Sequence, residues 1–576
     1  MRIHLLILSL LASPAFAADW PYWRGPNRDG TTTETSGWTG SDWPLGLAWS
    51  ASVGEGSSSP IIAGGYVYTI GHAGGREHVI CLDAKTGSEQ WRQSYNAPRY
   101  GRHAMGDQGF YAGPSSTPEF DPDTDLLYSL GIDGDLQCWN TKQKGQRVWG
   151  LNLYKEYNVR QRPQVTNRRG SHRDYGYTSA PLVHEGWVLV EVGDDDGNVM
   201  AFDKRTGKRV WTSQNKDPAG HTGGLAPMTV EGVPCVAVFT AYNLLVLRLD
   251  GDRAGQTVAE APWRTDFINS IATPAVKGSS VFITSKYNQM EMARFDISLR
   301  GGAKQVWRKP IASGVCSPVV LGDQLYFANR GMWCVDVGDG ELKWDGGKYG
   351  DAGSCLLTGD KRLIVWANDG DLALVDSAAQ SPDRFRELAS RKGVLNAIAW
   401  PHVAIADGRI YCKDRAGNVR CFEIGRKEAP IVRNDPPTPS VTPETRNDAP
   451  ASDLVVDLDK WSVEVKGLLF AWKRGDGKAK AAGAAWRAQR RFRFDVRGKA
   501  DVADSGAMML TGGGFAAGEI SDDITNACRA SNELSIEAVI TPANTSQNGP
   551  ARIVSLSSTP YRRHFTPGEE RDTLVV

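Results

Sequence analysis

Two stretches of this 576-residue chain concentrate side chains able to hold an anion. Between Arg92 and Gly113 stand Arg99, Arg102, His103 and Tyr111, and between Gly150 and Tyr177 stand Arg168, Arg169, His172 and Arg173. From Lys155 to Tyr177 six basic residues face two acidic ones, a local excess of four positive charges before His172 is counted. Guanidinium forks offer paired donors and aromatic faces stack on flat rings, so a carboxylated ring or an acidic glycan suits the combination. The bland alternative is an exposed loop whose arginines are solvated or paired at its rim. His103, His172 and His221 could gather at the same place, but nothing in their spacing sets a metal geometry, and no metal is expected from them. No HExxH, G-x-S-x-G or P-loop motif occurs, so zinc proteases, α/β-hydrolases and P-loop enzymes defined by those motifs gain no support. Catalytic residues stay unassigned; a glycosidase carboxylate pair is defined by distance, which spacing does not fix.

The elements that position these stretches are repeats. VICLDAKTGSEQW ends at Trp91, LQCWNTKQKGQRVW at Trp149, VMAFDKRTGKRVW at Trp211 and WCVDVGDGELKW at Trp344. Each reads as a strand, an Asp or Asn that can bond a turn backbone, a Gly free to take positive φ, and a second strand ending in Trp. Terminal Trp residues at 49, 91, 149, 211, 263, 307 and 344 are spaced 37 to 62 residues apart, which suits a four-stranded blade. Six copies open on a small-residue and Pro segment, as in SSSPII at 57 and VCSPVV at 315; a seventh begins at Ser354 and an eighth at His402. The expected fold is therefore all-β, an eight-bladed propeller. The eighth copy lacks a Trp strand, and LAWSASV around Trp49 is an orphan before the first copy, so the two are expected to pair and close the ring. The loops linking one blade's outer strand to the next blade's inner strand share a face with the middle hairpins. Both basic stretches are such loops, and together they are expected to cap the channel above blades 1 to 3. IDGDL at 132, DDGNV at 195, NDGDL at 368 and RAGNV at 415 read as two-residue primed hairpin turns. The Asp clusters 121/123/125 and 194–196 read as turn residues with solvated carboxylates rather than calcium loops.

Residues 1–17 form a signal-peptide pattern, with Arg2, an apolar run and a small-residue site at AFA, too short to span a bilayer. The mature chain is thus expected to be exported, periplasmic or secreted, with no membrane span. Sixty-six basic and sixty-six acidic residues leave no overall charge that would argue for nucleic acid. Nine cysteines show no CxxC and no haem-attachment motif. Counting outward from a turn at Ala416 and Gly417 places Cys412 opposite Cys421, which predicts a cross-strand disulfide, with two buried thiols as the alternative. The propeller is expected over 18–425. Pro and Thr then crowd 426–453, a linker, and a second β domain is expected over 454–576.

The D-x-x-T-G-x-x-x-W copies resemble the repeat of pyrroloquinoline quinone (PQQ) propellers, a superfamily holding both quinoprotein alcohol dehydrogenases and a propeller of the outer-membrane assembly machinery. The opening DWPYWRGPNRDG, Asp19 to Gly30, is similar to a group of exported planctomycete-like propellers. MMLTGGGF at 508, LSIEAVITP at 534 and GPARIVSLSS at 549 resemble part of a LamG-like, concanavalin A-like jelly roll, a β-sandwich. The resemblance implies either recognition or scaffolding, with a protein partner or a carbohydrate held at the mouth, or a dehydrogenase using PQQ with calcium on an alcohol or sugar. The vicinal Cys-Cys pair of many such dehydrogenases is missing, and no catalytic residue can be transferred by motif.

Overall fold

The computed structural model describes residues 19–97, 113–159, 175–265, 268–287, 289–350, 353–367 and 370–426, together with the backbone of several strands between 495 and 575. Its contacts divide the chain into two units, Met1–Arg433 and Asn434–Val576. The first unit contains eight antiparallel sheets, seven of four strands and one of three. Blade 1 is Ile61–Ala63, Tyr66–Ala73, Arg76–Asp83 and Glu89–Asn96, and the pattern repeats around an eight-bladed ring. In blade 6 one long strand, Gln324–Asp336, pairs Val319–Leu321 through its first half and Leu342–Gly350 through its second, with Arg330 at φ 61° between them. The ring closes as expected: Leu45–Ser52 pairs antiparallel with Asn418–Ile424, so blade 8 takes its outer strand from the start of the chain. The edge of Asn418–Ile424 is thereby covered by a strand from before blade 1.

The repeat motif explains itself in the packing between blades. Asp83 Oδ1 accepts from Lys85 N, Thr86 N and Thr86 Oγ1, which folds the turn and sets Gly87 at φ 73°. The Trp49 ring of the neighbouring blade lies where a Gly87 side chain would start, 2.6 Å from an ideal Cβ. The same docking joins Trp91 to Gly145, Trp149 to Gly207, Trp211 to Gly255 and Trp307 to Gly340. Trp49, Trp149 and Trp307 also donate Nε1 to a carbonyl of the next blade, at 3.0, 3.1 and 2.9 Å. An indole buries about 200 Å², worth roughly 5 kcal/mol as an upper bound, so each Trp is a principal inter-blade contact.

Two expectations about the hairpins need correction. In blade 8, Tyr411 faces Cys421 and Cys412 faces Arg420, so the two sulfurs lie on opposite faces of the sheet and both are free thiols. The turn holds three residues, Arg415 to Gly417, with Asp414 N bonded to Asn418 O, Gly417 N bonded to Asp414 O and Gly417 at φ 89°. A three-residue loop ending in left-handed Gly replaces the two-residue primed turn, and the register moves by one. Blade 2 does the same, with Gly131 N to Asp135 O, Gly134 N to Gly131 O and Tyr128 facing Cys138. The acidic turns are solvated only in part. Asp123 and Asp195 are exposed as expected, and Asp195 and Asp196 bond Asn158 at the surface, whereas Asp194 is buried and Asp121 is buried and pairs with Lys204 at 2.9 Å.

The second unit contributes antiparallel pairs, among them Asp495–Val502 with Met508–Ala516 and Leu556–Thr559 with Arg562–Phe565. Among the described residues no helix is long and apolar enough to cross a membrane.

Candidate functional site

The small-residue and Pro segments that open the blades stitch the channel wall together. Ser59 N bonds Thr117 Oγ1, Ser116 Oγ bonds Ser179 O, Thr178 Oγ1 bonds Thr222 O, Thr273 N bonds Ser317 Oγ and Val403 N bonds Ser354 Oγ. His402 N donates to Ser59 Oγ and carries the stitching across the closure.

The opposite end of the channel is filled by the chain's own opening segment. Trp20 and Ile62 exchange backbone bonds at 2.8 Å in blade 1. Arg28 bridges to Glu119 of blade 2. Trp23 Nε1 donates to Thr273 of blade 5, Arg24 donates to the carbonyls of Pro274 and Pro318, and Thr32 N bonds Leu357 O of blade 7. Gly223 and Gly224 leave no room for a side chain beside Trp23. Residues 19–36 therefore plug the ring, and Trp23 forms a floor.

Above that floor lies a cavity open at its mouth. Trp23, Tyr175, Tyr287, Trp400, His221 and His402 give it aromatic walls, while Ser57, Ser115, Thr178, Ser317 and Asn269 supply hydroxyls and an amide. Trp23 and His402 pack with ring centroids 4.2 Å apart, and Tyr175 meets His221 edge-on at 4.6 Å. Burial, with the Arg24 charge adding, pushes His402 down to about 3, so its imidazole is neutral across the physiological range. Asn269 Oδ1 is buried with no hydrogen-bond partner among the described residues, the state of a group awaiting a ligand or water. The Arg415 guanidinium lies 4.9 Å from the centre of the Trp400 ring and holds it in place.

Of the residues singled out from sequence for ligand binding, His221 is the one among the described residues, and it is in the cavity wall. Arg99, Arg102, His103, Tyr111, Arg168, Arg169, His172 and Arg173 lie outside the described residues. Tyr175, where the second segment resumes, lines the cavity, and Ala97, where the first departs, accepts from His72 Nε2. Sequence reasoning missed Trp23, Asn269, Tyr287, Trp400 and His402. A signal existed for two of them, since Trp400 and His402 fall at the positions where blade 1 has Ser57 and Ser59.

The calcium and PQQ expectation can be tested against these walls. No carboxylate or guanidinium is among the described lining residues, and no group of three His, Cys, Asp or Glu among the described residues is arranged for a metal. Calcium takes six to eight oxygen ligands rich in carboxylate, and an acidic cofactor needs cations against it, so the described walls do not fit that pair.

The protein family described as outer membrane protein assembly factor BamB matches residues 46–151 and 76–346, together just over half of the chain. This chain belongs to the BamB family. It is 28% identical over 332 residues to the outer membrane protein assembly factor BamB of Burkholderia pseudomallei (strain K96243), covering 55% of this chain and 73% of that protein. It is 29% identical over 237 residues to the quinohemoprotein alcohol dehydrogenase ADH-IIG of Pseudomonas putida, covering 36% of this chain and 29% of that enzyme. Among solved structures, BamB from Moraxella catarrhalis aligns with 66% of this chain and 99% of its own, with a TM-score of 0.45 and 14% identity. Quinohemoprotein alcohol dehydrogenase from Comamonas testosteroni aligns with 75% of this chain and 83% of its own, with a TM-score of 0.46 and 14% identity. The BamB-family match runs from the closure strand into blade 6, so Trp23, Trp400 and His402 stand outside the matched residues.

Proposed function

We propose that this chain is an exported recognition propeller that holds a protein partner at the channel mouth, with an uncharged aromatic or apolar group of the partner seated in the cavity above Trp23. One observation carries the reading: the described walls are aromatic and aliphatic side chains, hydroxyls and an amide, with no carboxylate, guanidinium or ammonium group among them. Such a surface gains from burying a flat apolar group and offers hydrogen bonds that fix its orientation. The basic residues Arg99, Arg102, Arg168, Arg169 and Arg173, in the segments that join blades 1 to 3, favour a partner that carries acidic residues. The BamB relationship supports a partner that is a protein, and the leader pattern at residues 1–17 supports export. Residues 426–453 serve as a linker and residues 454–576 as a LamG-like sandwich.

A second reading, a PQQ- and calcium-dependent dehydrogenase, is favoured by the sequence match to the Pseudomonas enzyme. Calorimetric titration of the whole chain with PQQ, with and without calcium, separates the two. Recognition predicts no calcium-dependent binding. Micromolar, calcium-dependent binding at one site would sink it and restore the dehydrogenase.

A further inference from the structure

The hydroxyl stitching of the channel wall changes chemistry at one seam. Between blades 6 and 7 the sulfurs of Cys316 and Cys355 stand 3.7 Å apart, both fully buried from solvent or nearly so. Cys316 falls where blades 1 and 2 have Ser58 and Ser116, and Cys355 falls where those blades have Pro60 and Pro118. Ala328 N donates to Cys316 Sγ at 3.3 Å, and the backbone carbonyl of Cys316 accepts from Ser313 Oγ, so the residue is held from two sides. The other described cysteines pack differently: Cys412 and Cys421 point to opposite sheet faces, and Cys81 and Cys138 sit opposite tyrosines.

We propose that Cys316 and Cys355 are an oxidisable pair that forms a disulfide between blades 6 and 7. The supply of an acceptor in cells rests on the export reading, since disulfide compounds and their carrier proteins dominate oxidising compartments. The step is exchange with such a disulfide. Cys316, as thiolate, attacks one acceptor sulfur and releases the other as a thiol, which takes up the proton. Cys355 then loses its proton and attacks Cys316 Sγ, releasing the second acceptor thiol. Two S–H bonds and the acceptor's S–S bond break, one S–S bond forms in the protein, and two electrons pass to the acceptor.

In the closed seam the two thiols are not equivalent. The hydrogen bond between the sulfurs lowers the Cys316 thiol and raises Cys355, with Ala328 N–H and the buried Arg24 charge helping Cys316 against its burial. Bond formation requires the sulfurs to close from 3.7 Å to about 2 Å, within reach of side-chain rotation and a small seam adjustment. The pair is sealed in the finished ring, so exchange takes place while the seam closes during folding. Arg24 belongs to the plug, and the pair is thereby completed by the segment that fills the channel.

The test is refolding of the full chain in oxidised glutathione, followed by acid quenching, alkylation and peptide mapping without reduction. A Cys316–Cys355 linked peptide, lighter than its parts by two hydrogens, is expected. Oxidised chain should also melt higher than reduced chain by about 5 °C, a shift lost in C316S and in C355A. Two alkylated thiols, glutathione trapped on either sulfur, or linkage of either to another cysteine would overturn the pair. The peptide map needs no variant, so misfolding of C316S leaves the test intact. Because refolding needs no compartment, failure there removes the pair and leaves export standing.

Discussion

At the scale of single residues, the joints between blades depend on atoms that are missing. Gly207 sits at φ 72° with the Trp149 ring 2.6 Å from where a Cβ would stand, so an added methyl meets both backbone strain and an indole that cannot retreat. Gly207→Ala is expected to cost about 2–4 kcal/mol, measured by denaturant unfolding, whereas Gly232→Ala, with open space and φ 84°, should cost about 1–2 kcal/mol. Equal losses would show that backbone strain alone, not Trp docking, makes the glycine necessary. The same logic runs in reverse at Trp400 and His402, where large rings occupy positions given to serine in blade 1 and narrow the channel into a walled cavity.

At the scale of elements, Glu77 clamps blade 1 to blade 2. It lies on Arg76–Asp83, accepts Ile132 N at 3.0 Å from the next blade's hairpin and Tyr95 OH at 2.7 Å from its own outer strand. Burial raises its carboxyl from 4.5 to about 7, against those two hydrogen bonds. A raised folded-state value means that the folded chain keeps a proton the unfolded chain has lost. Its contribution is full below pH 4.5 and gone once pH passes about 7. Glu77→Gln stays neutral throughout, so its stability relative to the native chain should improve by about 3 kcal/mol between pH 4.5 and 8. Glu119, also raised to about 7 by burial, titrates in both proteins and cancels. Parallel pH profiles would exclude Glu77 as the source. The hairpins teach a related lesson: Gly417 and Gly134 were legible as turn residues, but whether two or three residues make the turn decides which side chain faces which, and local composition is compatible with both.

At the scale of the whole molecule, the beginning of the chain serves the ring twice, as plug and as closing strand. Residues 19–36 touch successive blades from inside, and Leu45–Ser52 completes blade 8. The two roles separate by truncation. A chain starting at Leu45 keeps the closing strand and should remain monomeric with a lower melting temperature. A chain starting at Gly54 loses it, exposes the edge of Asn418–Ile424 and should self-associate, as read by light scattering after size exclusion. Monomeric behaviour of the shorter chain would mean that closure is not what protects that edge.

The sequence by itself determined the class, the number of blades and the pairing of Trp49 with the last copy, because these follow from periodicity and from turn residues whose φ preference is local. Only the tertiary structure decided the cavity. Trp23, Asn269 and Trp400 are far apart in the chain and belong to different blades or to none, so their convergence is set by ring geometry rather than spacing. The structure also sets which thiols are neighbours, separating Cys412 and Cys421 within one hairpin and bringing Cys316 and Cys355 together across a seam. A pair within a hairpin depends on a register that one turn residue changes. A pair across blades depends on how neighbouring sheets pack, and no spacing along a single chain encodes that distance.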